Sequence, residues 1–510
     1  MKKTSDAKSL LDRKAKKTRL HHAPADQGAA SAAESDDNSL ESWQEPGPYD
    51  PAGRLGPWEE RRAAGRTVRD RVPREAHAEW QPPADRPDPV SVLLASNEGR
   101  QSELLPLRMG RMAASPFGFL RGSAAVMAWD LAHTPPTGLP VVLSGDAHLG
   151  NFGLYGTPQQ TVVFDINDFD ETTVGPWEWD LKRLVASVNV VARANEYTAT
   201  ERRRAVMDCV RAYRENATRL QTMGVMDVWY QHAFPGAKHS LVKWELKSHD
   251  VFKQAALRAQ QNTSKRLLPR VAQEEAVDRW RFVADPPTLT RVDDATVAAV
   301  AASLTEYVET LTPERRFMMK RYRVADVAHR VVGVGSVGTR SYLVLLFGAG
   351  VEDPLFLQVK EALRPALAGV VPTLPSHLSH EGRRVVFGQR FLQASSDVLL
   401  GWTSVVDRPF YVRQMRNMKG SLPLDSLTWG AFHSYSWACG ALLARAHART
   451  GDIAKIAGYC GNSKTLDRAL ADFAEAYGDQ TERDHAALVA AIKQGRVEAM
   501  LKTESGSEEK

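Results

Sequence analysis

Ser144-Gly145-Asp146-Ala147-His148-Leu149-Gly150-Asn151, followed by Phe164-Asp165-Ile166-Asn167-Asp168-Phe169-Asp170-Glu171, carries the densest chemistry in this chain. Apolar runs at 139–143 and 161–164 precede the two stretches and read as short buried strands. The polar residues then fall on loops held by a sheet. An aspartate, an asparagine five residues on and a second acidic cluster are spaced as phosphoryl transfer on a magnesium nucleotide requires. That chemistry needs one carboxylate to accept a hydroxyl proton, and an amide oxygen with a further carboxylate to hold Mg²⁺ against phosphates.

The same residues admit a plainer account, a tight turn in which Asp146 and Asn151 cap backbone amides. The second loop weighs against it. Asp165, Asp168, Asp170 and Glu171 fall within seven residues. A like-charged pair at about 4 Å costs on the order of 1 kcal/mol even in water. Acids beside a buried strand therefore want a cation, either a metal or an Arg or Lys side chain.

Outside the loops the 510 residues carry a net charge of +5, with 43% apolar and 25% charged residues, the composition of an ordinary globular protein. The charge gives no specific nucleic-acid signal. No run approaches the roughly 20 apolar residues of a membrane span, and the basic start lacks the apolar stretch of a secretory signal. Cys209, Cys439 and Cys460 lie far apart with no CxxC pair and read as reduced thiols. The expectation is a soluble cytoplasmic protein.

Residues 1–85 lack apolar periodicity and are expected to form a disordered basic and polar tail. Residues 86–330 follow as a mainly helical lobe bearing the two loops, with helices expected near 123–132, 181–194 and 201–221. The texture over 331–420 turns to β-branched runs separated by glycines, at 331–332, 342–347, 355–359, 384–391 and 410–415. Those runs predict a small antiparallel sheet with at least one helix. Helices return over 421–502, at 429–448 and 466–477, with Gly478 suited to cap the second. Residues 503–510 are expected to fray.

Gly145-Asp146-x-His148-x-Gly150-Asn151, then Asp168-Phe169-Asp170, Gly175-Pro176 and Asp180-Leu181, resembles the aminoglycoside phosphotransferase and choline kinase branch of the protein-kinase-like fold. The resemblance implies that Asp146 is the catalytic base, Asn151 a magnesium ligand and Asp168 the principal one, with Asp170 beside it. It also implies that Asp180 braces the loop, with His148 as further support. Ser115-Pro116-Phe117-Gly118-Phe119-Leu120-Arg121-Gly122 and Trp177-Glu178-Trp179-Asp180-Leu181-Lys182-Arg183-Leu184 are more closely similar to a large bacterial family of unknown function, numbered 2252, over about 70–450.

Gly333-Val334-Gly335-Ser336-Val337-Gly338 is a GxGxxG followed by two strands, the second ending in Lys360. It resembles the kinase glycine loop and the strand lysine that pairs with phosphates. Gly333, Gly335, Ser336, Gly338 and Lys360 are thus candidate ATP contacts. A plain hairpin with an edge lysine would read the same way. In kinases this half precedes the catalytic loop, whereas here it follows by nearly two hundred residues. The expectation is an α+β, two-lobe, circularly permuted kinase-like fold with a hinge at 415–419, since permutation is tolerated where termini lie close together. The ion-pair partner of Lys360 is open: Glu361 points to the opposite strand face, and Glu381 is a candidate. Arg121 is expected to pair with an aspartate rather than to reach a phosphate.

The function these features predict is ATP- and Mg²⁺-dependent phosphoryl transfer to an acceptor hydroxyl, with transfer of AMP as a variant. A nucleotide-binding scaffold without transfer is the alternative from another class. A metallophosphoesterase also opens on Gly-Asp-x-His, but it needs a dinuclear centre. This chain offers Asn151-Phe152 where an Asn-His is wanted.

Overall fold

Residues 341–347 show how the sheet is built. Leu343 and Leu345 pack with Phe282 and Phe356 on one face, while Val344 and Leu346 pack with Val300 and Tyr307 on the other. Successive side chains on a strand point to opposite faces, so a continuous apolar run marks a strand covered on both sides. In this computed structural model the described residues are 55–233, 250–277, 279–331, 333–371, 379–415 and 417–500. The strand Ser341–Phe347 sits inside a six-stranded sheet. Its order is Gly401–Val405, Arg408–Gln414, Pro354–Glu361, Ser341–Phe347, Arg323–Arg330 and Leu289–Arg291, and every pairing is antiparallel.

The helical part is assembled around Trp177–Ala194, Ala199–Leu220, Trp429–Ala448 and Thr465–Lys493, which pack on one another. Two short antiparallel strand pairs lie against them: Pro140–Leu143 with Thr173–Pro176, and the hairpin of Phe152–Gly156 with Val162–Ile166. These strands and the four long helices share one hydrophobic core. The fold is therefore α+β with antiparallel sheets, and no helix among the described residues is long and apolar enough to cross a membrane.

Several expectations are corrected. Residues 58–78, assigned above to a disordered tail, form the helix Trp58–Arg71 and the single-turn helix Arg74–Ala78. The long helix docks through arginines rather than through an apolar stripe, which is why hydrophobic periodicity missed it. Arg61 Nη1 donates to Asp452 Oδ1 at 2.8 Å, Arg69 Nε to the Tyr459 carbonyl at 2.9 Å, and Gly65 abuts the Lys455 backbone. Just beyond, Arg86 binds both Asp130 and Asp484. The basic start of the chain and residues 503–510 lie outside the described residues.

The run at 384–391, expected as a strand, is part of the helix Glu381–Leu392. Its apolar residues are too few to separate a period of 2 from one of 3.6. The sheet also begins earlier than residue 331, with Leu289–Arg291 and the polar strand Arg323–Arg330. Val331 lies just past that strand, and Val332 is outside the described residues. Gly478 does not end a helix, because Thr465–Lys493 runs through it. A Cβ there would overlap the Asn189 amide oxygen, so this glycine permits close packing on Trp177–Ala194.

Candidate active site

Gly145 turns the chain at φ +79°, in the left-handed region, and a Cβ there would overlap the Glu171 carbonyl. The two acidic loops therefore touch. Buried Asp180 holds the first, accepting the Ser144 amide at 2.7 Å and the Gly145 amide at 3.0 Å. His447 stands 3.3 Å from the same carboxylate and 2.8 Å from the Tyr213 hydroxyl, a bracing contact that its helical surroundings gave no reason to expect. From the other side, Tyr435 donates to the carbonyls of Leu149 and Phe152 at 2.8 and 2.9 Å.

Asp146 is tethered on several sides. Arg183 Nε and Nη2 both reach Asp146 Oδ1 at 2.8 Å. Asn151 Nδ2 donates to the Asp146 carbonyl at 2.8 Å, and His148 Nε2 lies 3.4 Å from Oδ2. Burial alone would raise the Asp146 carboxyl, but His148, Arg183 and Arg121 together hold it below its ordinary value. Burial also pushes His148 down to about 4, so near neutral pH that ring is uncharged and the arginines do the work. Arg183 was missed as a partner. The legible signal was its place three residues after Asp180 on one helix, a spacing that shares a face.

The second loop is aligned by the hairpin beneath it, where the Asn167 amide donates to the Asn151 carbonyl at 2.9 Å. Asp168 follows at once. Burial and the neighbouring Asp170 raise its carboxyl above the ordinary value. Burial would raise Asp170 as well, but Lys360 overrides it and holds that carboxyl down at about 2. Asp165, by contrast, faces away and pairs with Arg445 in the interior.

Lys360, buried on the strand Pro354–Glu361, bonds Asp170 and donates to Ser336 Oγ at 2.6 Å. Ser336 Oγ donates in turn to Asp170 at 3.2 Å. A serine of the glycine turn, the strand lysine and the acidic loop thus meet at one point. Gly333 sits against the Arg121 guanidinium, and Gly338, at φ +87°, gives its carbonyl to the Gln101 amide at 2.7 Å. The lysine's partner is neither glutamate. Glu361 pairs with Arg340 and Arg408, and Glu381 with Arg384. Arg121 has no carboxylate within ion-pair distance among the described residues, so the expected aspartate pairing is not found. Its contact is the Phe117 ring, with its guanidinium carbon 5.9 Å from the centroid.

Asp146, Asn151, Asp168, Arg121 and Ser336 line two cavities at once, one of about 500 Å³ and one of about 130 Å³. Lys360, Gln358 and Arg413 line the smaller one. Among the described residues no group of three or more His, Cys, Asp or Glu has the arrangement of a metal site. A cation here would rest on Asp168, Asp170 and the Asn151 amide oxygen. The fit is favourable at two atoms: Asp170 Oδ1 is buried without a hydrogen-bond partner, and the Asn151 side-chain oxygen accepts no bond among the described residues. In the expected hinge, Arg416 lies outside the described residues. Asn417 exchanges bonds with Gly156 at 2.8 and 2.9 Å, and Asn417 and Lys419 edge a third cavity of about 20 Å³ with Tyr155, Asn167 and Asp397.

No curated protein and no solved structure matches this chain. Residues 100–491 match a family described as uncharacterised proteins conserved in bacteria, DUF2252, a span that starts and ends later than the sequence motifs suggested. With most of its length inside that match, the chain belongs to the DUF2252 family.

Proposed function

We propose that this protein is an ATP- and Mg²⁺-dependent phosphotransferase acting on a hydroxyl, built on a circularly permuted kinase-like fold. The contact of Lys360 and Ser336 with Asp170 carries the reading. It joins the glycine turn and lysine strand to the acidic loop across 190 residues of chain, as a phosphate clamp needs to be joined to its metal site.

Each residue then has a task. Lys360 and the amides of the Gly333–Gly338 turn would hold the phosphates. Asp168, Asp170 and Asn151 would hold the metal, whose charge offsets that of the phosphates. Asp146 would orient the acceptor hydroxyl. A bond forms from the acceptor oxygen to the γ-phosphorus while the γ-phosphorus bond to the β–γ bridging oxygen breaks. ADP leaves with that electron pair, and the hydroxyl proton passes to Asp146. Rate enhancement comes mainly from positioning and preorganised charge.

One observation favours the second reading, nucleotide binding without transfer. Arg183 occupies Asp146 Oδ1 and lowers its basicity. Phosphoryl transfer tolerates a weak base, because its loose transition state asks little proton abstraction of the protein. Transfer is therefore preferred.

The test is calorimetric titration of ATP with and without Mg²⁺ into wild type and Asp168→Asn. We expect magnesium-dependent binding that weakens at least tenfold in the variant. Binding indifferent to both magnesium and the substitution would end the metal assignment, and absence of any binding would end the nucleotide reading. Where binding holds, an acceptor screen with Asp146→Asn as the inactive control separates transfer from binding. Loss of the group that orients the acceptor hydroxyl lowers turnover by about 10²-fold or more.

A further inference from the structure

The cavity of about 500 Å³ beside Asp146 is lined by two sets of charges that do not pair with each other. Of its acids, Asp146 is engaged by Arg183, Asp170 by Lys360, and Glu171 by the Ala366 amide at 2.6 Å, while Asp168 and Glu98 also line it. Two of its arginines, buried Arg108 and half-buried Arg100, donate only to neutral acceptors among the described residues. Arg108, 2% exposed, donates from Nη1 to Asn97 Oδ1 and from Nη2 to the Gly122 carbonyl, each at 2.8 Å. Its Nε is buried without a partner. Arg100 donates to the Ser96 carbonyl at 3.3 Å and the Val337 carbonyl at 2.8 Å. Burial, and then the neighbouring Arg100, push Arg108 down to about 9. Among the described residues no carboxylate lies within ion-pair distance of either arginine, and the more distant charge of Glu171 offsets only part of their burial.

Arg100 and Arg108 line the large cavity and not the small one, while Lys360, Gln358 and Arg413 line the small one and not the large. Asp146 and Asn151 stand between. A nucleotide held from the Lys360 side therefore leaves two unmatched guanidinium groups on the opposite side of Asp146. We propose that the large cavity takes an acceptor bearing, besides its hydroxyl, an anionic group (phosphate or carboxylate) held by Arg100 and Arg108. This inference rests on the phosphotransferase reading and narrows its substrate class from any hydroxyl compound to an acidic one.

The experiment titrates the full chain with inorganic phosphate, and in a parallel arm with acetate. Each arm is run with and without saturating magnesium and the β,γ-imido analogue of ATP. Wild type, Arg100→Gln, Arg108→Gln and Lys360→Gln are compared, and nucleotide binding is read separately for each. We expect one anion to bind whether or not the nucleotide analogue is present. Its binding should weaken at least tenfold in Arg100→Gln and less in Lys360→Gln, which acts on the cavity only through the freed Asp170 carboxylate. The anion that binds names the acidic group. Arg108→Gln removes two packing bonds, so the deciding variant is Arg100→Gln, at the more exposed of the two arginines. Displacement of the anion by the nucleotide analogue would overturn the proposal, since the arginines would then serve the nucleotide's own phosphates. Unchanged binding in Arg100→Gln, or no binding of either anion, would overturn it as well. Arg100-dependent anion binding without any nucleotide binding would uphold the anion pocket and retire the phosphotransferase reading instead.

Discussion

His77 shows how a single buried side chain ties stability to pH in this protein. It is fully buried, its Nε2 lies 2.8 Å from the Tyr459 hydroxyl, and its Nδ1 has no partner. Burial, with the nearby Lys182 charge, holds it well below the ordinary histidine value of 6.5. The folded state therefore refuses a proton that the unfolded chain accepts. The stability this neutral ring allows is fully present above about pH 6.5 and is lost as pH falls through the folded value. One such group contributes at most about 1.4 kcal/mol per pH unit across that window. We predict that His77→Phe, which leaves Tyr459 donating to the Val72 carbonyl at 3.0 Å, flattens the decline of the urea midpoint below pH 6.5. Parallel profiles for variant and wild type would refute it. At the same scale, the grouping of Asp146, Asn151, Asp168 and Asp170 around one cavity was legible because their spacing is local. The arginines at 100, 108, 121 and 183 were not, because an arginine's partner depends on which distant element it faces.

Helix contacts in this molecule depend on small residues as much as on apolar stripes. Gly440 lies within Trp429–Ala448, where a Cβ would overlap the backbone carbonyl of Cys209 on the helix Ala199–Leu220. Alanine would gain about 1 kcal/mol of helix propensity. Forcing apart two packed backbones costs about 1–3 kcal/mol or more. The steric effect should win, since the obstructing atom is main chain and cannot rotate away. Gly440→Ala is predicted to lose about 1–2 kcal/mol net of unfolding free energy, read by denaturant titration. A neutral or stabilised variant would show that the two helices can slide. The same feature sets what could be read in advance. Trp429–Ala448 was legible to its boundaries, because it is long and apolar on nearly every face. Trp58–Arg71 was invisible, because its contacts are guanidinium bonds and a glycine. The stretch at 384–391 was misread, because a short apolar run with one glycine fits either period.

At the scale of the whole molecule, two segments nearly 200 residues apart meet at Lys360, Ser336 and Asp170, and a ligand at that seam must register on both. On its Lys360 side the seam is narrow. The cavity by Lys360 holds about 130 Å³ and the one by Asn417 and Lys419 about 20 Å³, against roughly 300 Å³ or more for an ordinary small-molecule site. A nucleotide held from Lys360 to the expected hinge must therefore open a path. Gln414, Asn417 and Lys419 edge the smaller of these cavities, and this side is tied to the hairpin strand Phe152–Gly156 by the Asn417 bonds to Gly156 and by the bridge from Gly420 to Leu154. Hydrogen exchange separates these motions. With magnesium and the β,γ-imido analogue of ATP, peptides over 144–151 and 333–338 should both gain protection, because phosphates and metal bridge them. Peptides over 414–420 should exchange differently in the same experiment, because their bonds to Gly156 must rearrange. Asp168→Asn should diminish the response at both loops together, since in the proposed reading a metal held by Asp168 would couple them. Protection confined to 333–338, unaffected by that substitution, would mean that the glycine turn binds phosphate on its own. The acidic loops would then be a separate structure, and the permuted, single-site reading would fall.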